Sequence, residues 1–458
     1  MDNQAFETEA KMAAGSWKRE ASPGRRSLLK LFAVCLLAGL LTTAVGVLSL
    51  SLVYTKAGGL VNEMRVNEMN VNEVLVKDGA VSSRPLVDVR FGFLNRLSRS
   101  EPQKYPGGTI QWATYRSDSD HYPDPEGQEF GESLHQKQSQ MSVALLRIKP
   151  GGLRVPHWHF NANEHGYVLQ GTVWIGVVTA ENVTVFNGTE GQVVFFPRNA
   201  VHWIKNCGEG EAVLLLFFGS HEEVKTLEAD EAFLGTPEDI AARALQPIGG
   251  VKFIRTFRKF SEAQVVNLPP NLGQLVHSVN YTRSEDSQVW RYLYDLGASP
   301  IHPFHGGQFQ WAPFRSARTS KSPMELIYIQ SLNEESRSLT LASLRIFANE
   351  LGQPHYHFNA NELAYVVSGC ARAGLVMESG TTVTFDVTIG DVIFFPVGTQ
   401  HYLRSVCDEE LLLVVAYSTG KEALKTLRMN KYFMDTADHI LAQLFHKDQK
   451  EFQNFPRS

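Results

Sequence analysis

Cysteine is scarce in this 458-residue chain, with four in all. Cys35 lies in an apolar segment, which leaves Cys207, Cys370 and Cys407 for the remainder. So few, and odd in number, they exclude a disulfide scaffold and leave at least one free thiol in an exported domain. The plain expectation is buried thiols. A long basic run is also missing, and the formal net charge is −5, so there is no electrostatic footprint for nucleic acid. With 43% hydrophobic and 20% charged residues, wholesale disorder and collagen-like or coiled-coil architectures are excluded too.

Charge is wholly absent from residues 31–54, LFAVCLLAGLLTTAVGVLSLSLVY. A helix needs ~20 apolar residues to cross a bilayer, so this segment reads as a membrane-targeting helix. Lys18, Arg19, Arg25, Arg26 and Lys30 precede it, which places residues 1–30 in the cytoplasm. The apolar run is longer than a cleaved signal requires and no A-x-A site follows, which favours an uncleaved signal anchor. Gly24-Arg25-Arg26-Ser27-Leu28-Leu29-Lys30 also resembles a twin-arginine export signal. Sequons at Asn182, Asn187 and Asn280 would be usable in a secretory lumen. On either route the folded part is extracytoplasmic, membrane-anchored or secreted. Residues 55–84, with Val-Asn-Glu at 61, 66 and 71, have a five-residue period that fits neither helix nor strand and read as a stalk.

The rest is one domain written twice. GGTIQWATYRS (107–117) recurs as GGQFQWAPFRS (306–316), and PHWHFNANEHGYVLQG (156–171) as PHYHFNANELAYVVSG (354–369). GQVVFFPRNAVHW (191–203) recurs as GDVIFFPVGTQHY (390–402), and VKTL (224–227) as LKTL (424–427). A period this long duplicates whole domains, here 85–247 and 248–458, rather than solenoid units. Apolar runs such as Gln192–Phe196, Ala212–Phe218 and Leu411–Tyr417, bounded by Gly, Pro and Asn, suit an all-β sandwich or barrel. Each copy ends in a helix-like tail. Thr236 and Pro237 read as N-cap and first turn of a helix through Leu245, and residues 435–445 match it in the second copy. Residues 247–250 mark the hinge.

His157 and His159 alternate, so on a strand both imidazoles project from one face. Glu164 follows on the next turn or strand, and His202 arrives from the later block. Three imidazoles and a carboxylate converging in a β-barrel make a metal site. His355, His357, Glu362 and His401 repeat the set in register. Mixed nitrogen and carboxylate donors, with no cysteine among them, suit Mn(II) or Fe(II) better than a closed zinc site.

Gly151-x5-His157-x-His159-x4-Glu164-x6-Gly171 and Gly191-x5-Pro197-x-Asn199-x2-His202-x3-Asn206 resemble the two cupin motifs of germins and oxalate decarboxylases, with Asn199 in the usual Gly place. The second copy is similar, with Asn349 for the leading Gly and Ser405 for the terminal Asn. The two-domain layout is most similar to the oxalate decarboxylase branch. The resemblance implies two tandem cupin (jelly-roll) barrels, one Mn(II) in each, with Fe an alternative. It also implies dioxygen-dependent cleavage of oxalate to formate and CO2, with the main site in the first barrel. Bicupins often assemble further as homo-oligomers. Arg154 matches the family's substrate arginine, and Glu223, in the segment after the last strand, falls at the place of its catalytic acid, although the surrounding lid pattern is absent. Gly352 stands where the second copy's arginine would be. A germin-like oxalate oxidase or superoxide dismutase, another cupin dioxygenase, and a non-catalytic storage cupin are the competing readings; storage relatives commonly lose ligands, and none is lost here.

Overall fold

A computed structural model describes residues 88–259, 263–269, 284–313 and 321–455. The expected membrane helix at 31–54, the stalk and the Asn280 sequon lie outside these residues. Among the described residues no helix is long and apolar enough to cross a membrane.

The three apolar runs singled out above are strands over those same bounds. Ala212–Phe218 is buried at every position and runs antiparallel between Ser142–Ile148 and Glu164–Gln170. A strand covered on both faces reads as an unbroken apolar run, not an alternation. Each copy is a sandwich of two antiparallel sheets. In the first copy a five-strand path, Thr226–Glu228, Leu153–His159, Val201–Asn206, Thr172–Val178 and Val183–Thr189, faces a seven-stranded sheet. The short strand Val265–Val266 pairs additionally with Leu153–His159. The second copy repeats the plan with Thr382–Thr388, Cys370–Val376, Gln400–Ser405, Leu351–His357 and Thr426–Arg428.

The copies are joined by exchange. Leu94–Asn95 is the edge strand of the second copy's large sheet, with Leu94 opposite Ile393. Leu293–Asp295 is the edge strand of the first copy's large sheet, with Leu293 opposite Val194. Strands therefore cross the 247/248 boundary in both directions. Two asparagines add a reciprocal bond. Asn163 Nδ2 donates to Ser336 O at 2.7 Å, and its counterpart Asn361 donates to Gln138 O at 3.3 Å. Each side-chain oxygen accepts from the turn before the last ligand histidine, at Arg198 N and Val397 N.

Two local expectations are corrected. The tail helices are present at Glu238–Leu245 and Asp438–Phe445, each preceded by a further short helix, Ala229–Gly235 and Met429–Asp435, so the capping role expected of Thr236 changes. Thr236 closes the earlier helix, with Oγ1 donating to Ala232 O at 2.8 Å, instead of capping the later one. Its extended conformation (φ −82°, ψ 129°) suits the following proline. Thr436, however, adopts the same one (φ −78°, ψ 129°) before Ala437, and what the two share is the hydroxyl bond back into the earlier helix. The cysteines are not buried thiols either. Cys370 and Cys407 form a disulfide, and Cys207 is exposed. In the first copy Asn206 ties the corresponding turn, donating to Ile148 O and Gly210 O and accepting from Gly208 N, all at 2.8 Å. Ser405 cannot span that turn, its hydroxyl is left without a partner, and the disulfide lies beside it.

Candidate metal centres

The first site is built on Leu153–His159. Arg154 lies three residues before His157, which on a regular strand would put it on the opposite face. A register shift against Val201–Asn206, between the pairs His157/His202 and Arg154/Ile204, cancels that offset. Arg154, His157 and His159 are all buried. Glu164 opens its own strand opposite Phe196 and Phe218. These rings support the imidazoles: Phe196 stacks on His202 at 4.3 Å, and Phe218 meets His159 edge-on at 5.3 Å.

The donor atoms of His157, His159, Glu164 and His202 lie within 4.8 Å of one another. Glu164 Oε2 is 2.8 Å from His159 Nε2 and 3.3 Å from His202 Nε2. Every Nδ1 is engaged outward: His157 with Val155 O at 2.7 Å, His202 with Ala200 O at 2.9 Å and His159 with Thr226 Oγ1 at 2.8 Å. A carbonyl only accepts, so Nδ1 carries the proton in the first two, and the Nε2 lone pair faces inward. Burial, then the Arg154 charge, holds His157 well below the usual imidazole range, and burial lowers His159 against the pull of Glu164. Burial would raise Glu164, but hydrogen bonds from His159 and His202 outweigh it and keep the carboxylate ionised.

His355, His357, Glu362 and His401 repeat the arrangement. Glu362 Oε2 is 2.8 Å from His357 Nε2, and His355, His357 and His401 engage Gln353 O, Thr426 Oγ1 and Thr399 O through Nδ1. His401 Nε2 is buried without a hydrogen bond, 3.4 Å from Glu362. Neutral imidazoles aimed inward, one anionic carboxylate and an orphaned buried nitrogen are what a divalent cation satisfies. Both quartets fit such an ion.

The motif departures are conformational synonyms. Asn199 sits at φ +66° where its counterpart is Gly398 at +76°, and Asn349 at +62° where its counterpart is Gly151 at +71°. Asparagine is among the few residues other than glycine that tolerate this left-handed region.

The catalytic expectations fare unevenly. Arg154 reaches the first site but is not free: Nη1 donates to both oxygens of Glu228, at 3.0 Å each, and to Gln264 O at 3.2 Å. Glu223 contacts none of the four ligands. Its carboxylate accepts from Ser117 N and Oγ, lies 3.6 Å from Arg116, and its carbonyl accepts from Asn161 Nδ2. Burial would raise it, but Ser117 and then Arg116 hold it below its ordinary value. Glu228 behaves oppositely: burial raises its carboxyl despite Arg154.

Glu228 lies opposite His157 in the register, and the residue opposite His355 is Arg428. The two copies thus exchange charges: arginine and glutamate at 154 and 228, glycine and arginine at 352 and 428. Neither Glu228 nor Arg428 was found from sequence. The signal was there: the VKTL and LKTL echo breaks at the next residue. The entrances differ as well. Gln264 and Val265 cover the strand beside Arg154. In the second barrel a cavity of about 380 Å³ opens onto the quartet, lined among others by His302, Phe304, Trp311, Gly352, Tyr417 and Arg428.

Two facing antiparallel sheets around a buried three-histidine, one-glutamate quartet, made twice, define a duplicated β-sandwich metal-binding protein. The chain belongs to the cupin family, which matches residues 131–248 and 322–451. A CLLAC-motif containing domain matches residues 25–54. The chain is 25% identical over 305 residues to an oxalate decarboxylase of Arthroderma benhamiae, covering 61% of this chain and 67% of that protein. It is 26% identical over 277 residues to an oxalate decarboxylase of Bacillus subtilis, covering 59% and 65%; the chain thus spans about two thirds of these relatives' lengths. A solved structure of the Bacillus subtilis enzyme, described for its Mn(II) centres, superposes with a TM-score of 0.60 at 18% identity over 83% of this chain and 88% of that one. The fold and the bicupin class are as the motifs imply.

Proposed function

We propose that this protein is a Mn(II)-dependent bicupin carboxy-lyase that cleaves oxalate to formate and CO2 with dioxygen as cofactor, chiefly in the first barrel. The observation that carries the reading is the Arg154–Glu228 pair set against His157 in a site whose four donors suit a divalent cation. The relatives' names and the Mn(II) centres of the Bacillus subtilis enzyme support the substrate and the metal. Mn(II), held by His157, His159, Glu164 and His202, would supply Lewis acidity and one-electron chemistry when bound.

The protein's own residues account for the rest. An entering oxalate carboxylate replaces the Glu228 carboxylate on Arg154, a like-for-like exchange that keeps the guanidinium paired. The displaced Glu228, whose burial favours its neutral form, takes up a proton. When the C–C bond breaks and CO2 leaves, that proton passes to the remaining carboxyl carbon and formate results. Glu228 thus replaces Glu223 as the proton carrier. The Thr226–Glu228 strand and Val265–Val266 flank the strand that carries Arg154 and His157 at this end of the site.

Residues 31–54 are proposed to anchor the chain with the cupin domains outside the cytoplasm. The Cys370–Cys407 disulfide supports an oxidising compartment. The test is a product assay on full-length, Mn-loaded protein with oxalate in air. Equal formate and CO2 without matching peroxide is expected. Peroxide without formate would make it an oxidase, and inertness at full metal occupancy would make it a binding protein.

A further inference from the structure

Helix Pro125–Gln136 and the segment 219–225 meet beside the first barrel. The last turn of the helix carries His135, and the segment carries His221 and Glu222. Their donor atoms lie within 4.8 Å of one another. Glu222 Oε1 is 3.7 Å from His135 Nδ1 and 3.6 Å from His221 Nε2, too far for hydrogen bonds. His135 Nδ1 and His221 Nδ1 are nonetheless shut off from solvent and make no hydrogen bond, which is costly for a polar atom. Tyr115 stacks on His135 with ring centroids 4.1 Å apart and planes 14° from parallel, which fixes the imidazole plane. The helix C-terminus adds partial negative charge, favourable to a cation.

The second copy serves as an internal comparison. Its equivalent helix, Pro323–Glu334, has Asn333 in place of His135, and Lys421 stands in place of His221. The carboxylate is kept at Glu422, where it pairs with Lys425 and Asn359. Both histidines occur together in one copy and neither in the other. A helix and a loop distant in sequence have each placed an imidazole at one point.

We propose that His135, His221 and Glu222 form a third divalent-metal site, of the zinc class, that ties the 219–225 segment to helix Pro125–Gln136. Two imidazoles and a carboxylate, with water in the remaining position, are a regular zinc donor set. Metal–ligand bonds of about 2.0–2.1 Å put tetrahedral donors roughly 3.4 Å apart, so the gaps at Glu222 close with shifts of a few tenths of an ångström. The ion satisfies the unmet Nδ1 of His135 and fixes the loop that carries Glu223 against Ser117. The site does not depend on the reaction proposed above.

The test uses full-length protein, stripped with chelator, reloaded with Mn(II), then titrated with zinc chloride by calorimetry, with metal content measured by mass spectrometry. His135→Asn and His221→Lys install the second copy's residues at partly exposed positions, and Glu222→Gln keeps the size of the third ligand. Wild type should bind one more zinc per chain than each variant, with affinity for that zinc falling by about tenfold or more in the variants. Hydrogen exchange in residues 219–225 should slow on zinc addition in wild type alone. Equal zinc stoichiometry across the four proteins, or an extra zinc that leaves exchange in 219–225 unchanged, overturns the proposal.

Discussion

A single nitrogen of Arg154, Nη1, donates to both carboxylate oxygens of Glu228 at 3.0 Å, with both residues less than a tenth exposed. Glu228→Gln leaves the guanidinium buried without its counter-charge. Breaking a buried pair from one side costs about 3–5 kcal/mol, readable as a lower midpoint in urea. It also removes the proton carrier, so kcat on oxalate should drop by about 10²–10⁴-fold with Mn content unchanged. Glu223→Gln should leave the rate within the same order. A dead Glu223→Gln enzyme alongside an active Glu228→Gln one would reverse the assignment.

Acid should weaken the metal-free protein. Burial, aided by neighbouring His401 and His357, lowers His355 to about 3, and His157 is also held well below its ordinary value. Folding therefore disfavours the charged imidazoles. The stability this confers is fully present above the ordinary imidazole pKa of about 6.5 and is lost as pH falls from there toward the folded values. Melting curves of chelator-treated protein between pH 7.5 and 4 should show the melting temperature falling steadily; a flat profile would contradict the buried neutral histidines. Glu228 gives the opposite sign over its own range. Its raised carboxyl pKa contributes stability at low pH that is lost as pH rises through the folded value.

Arg428 has no carboxylate partner among the described residues and lines the second barrel's cavity. An anion entering there meets an arginine from a different strand than in the first barrel. Arg428→Gln should weaken anion binding to that barrel by about tenfold or more, given about 1.5–3 kcal/mol for hydrogen bonds to charged groups. Calorimetry with oxalate on wild type and variant would read it out. Identical isotherms would assign all anion binding to the first barrel.

The Cys370–Cys407 bond closes a turn that side-chain hydrogen bonds close in the first copy. Cys370→Ser should cost about 2–4 kcal/mol and lower the melting temperature, while Cys207→Ser, at an exposed free thiol, should not. Wild type with reductant should match Cys370→Ser. No difference between the two serine variants would show the bond to be dispensable.

The barrels and both quartets could be read from the chain because duplication supplied an internal standard: a lone His-x-His is ambiguous, but His157 to His202 recurring as His355 to His401 is not. Strand bounds at Ala212–Phe218 and Leu411–Tyr417 followed because an unbroken apolar run leaves little freedom. What escaped was set by partners distant in sequence. Nothing near Arg154 foretells that Glu228 neutralises it, and the register shift that turns it inward belongs to the pairing of two strands. The Cys370–Cys407 pairing depends on how strand ends meet. The break after Thr236 was legible in part, since the following Pro237 disfavours helical geometry there, whereas the same break at Thr436 precedes alanine and carries no such signal.

The exchange of Leu94–Asn95 and Leu293–Asp295 between the two large sheets bears on any attempt to separate the halves. A gene cut at the internal repeat boundary would yield fragments that each lack an edge strand and carry the other's orphan, exposing a row of unpaired backbone groups that invites association. Protease cleavage of the purified protein between residues 254 and 263 is a different matter. The nicked pieces would remain clasped, migrating as one particle until denatured, each still finishing the other's sheet.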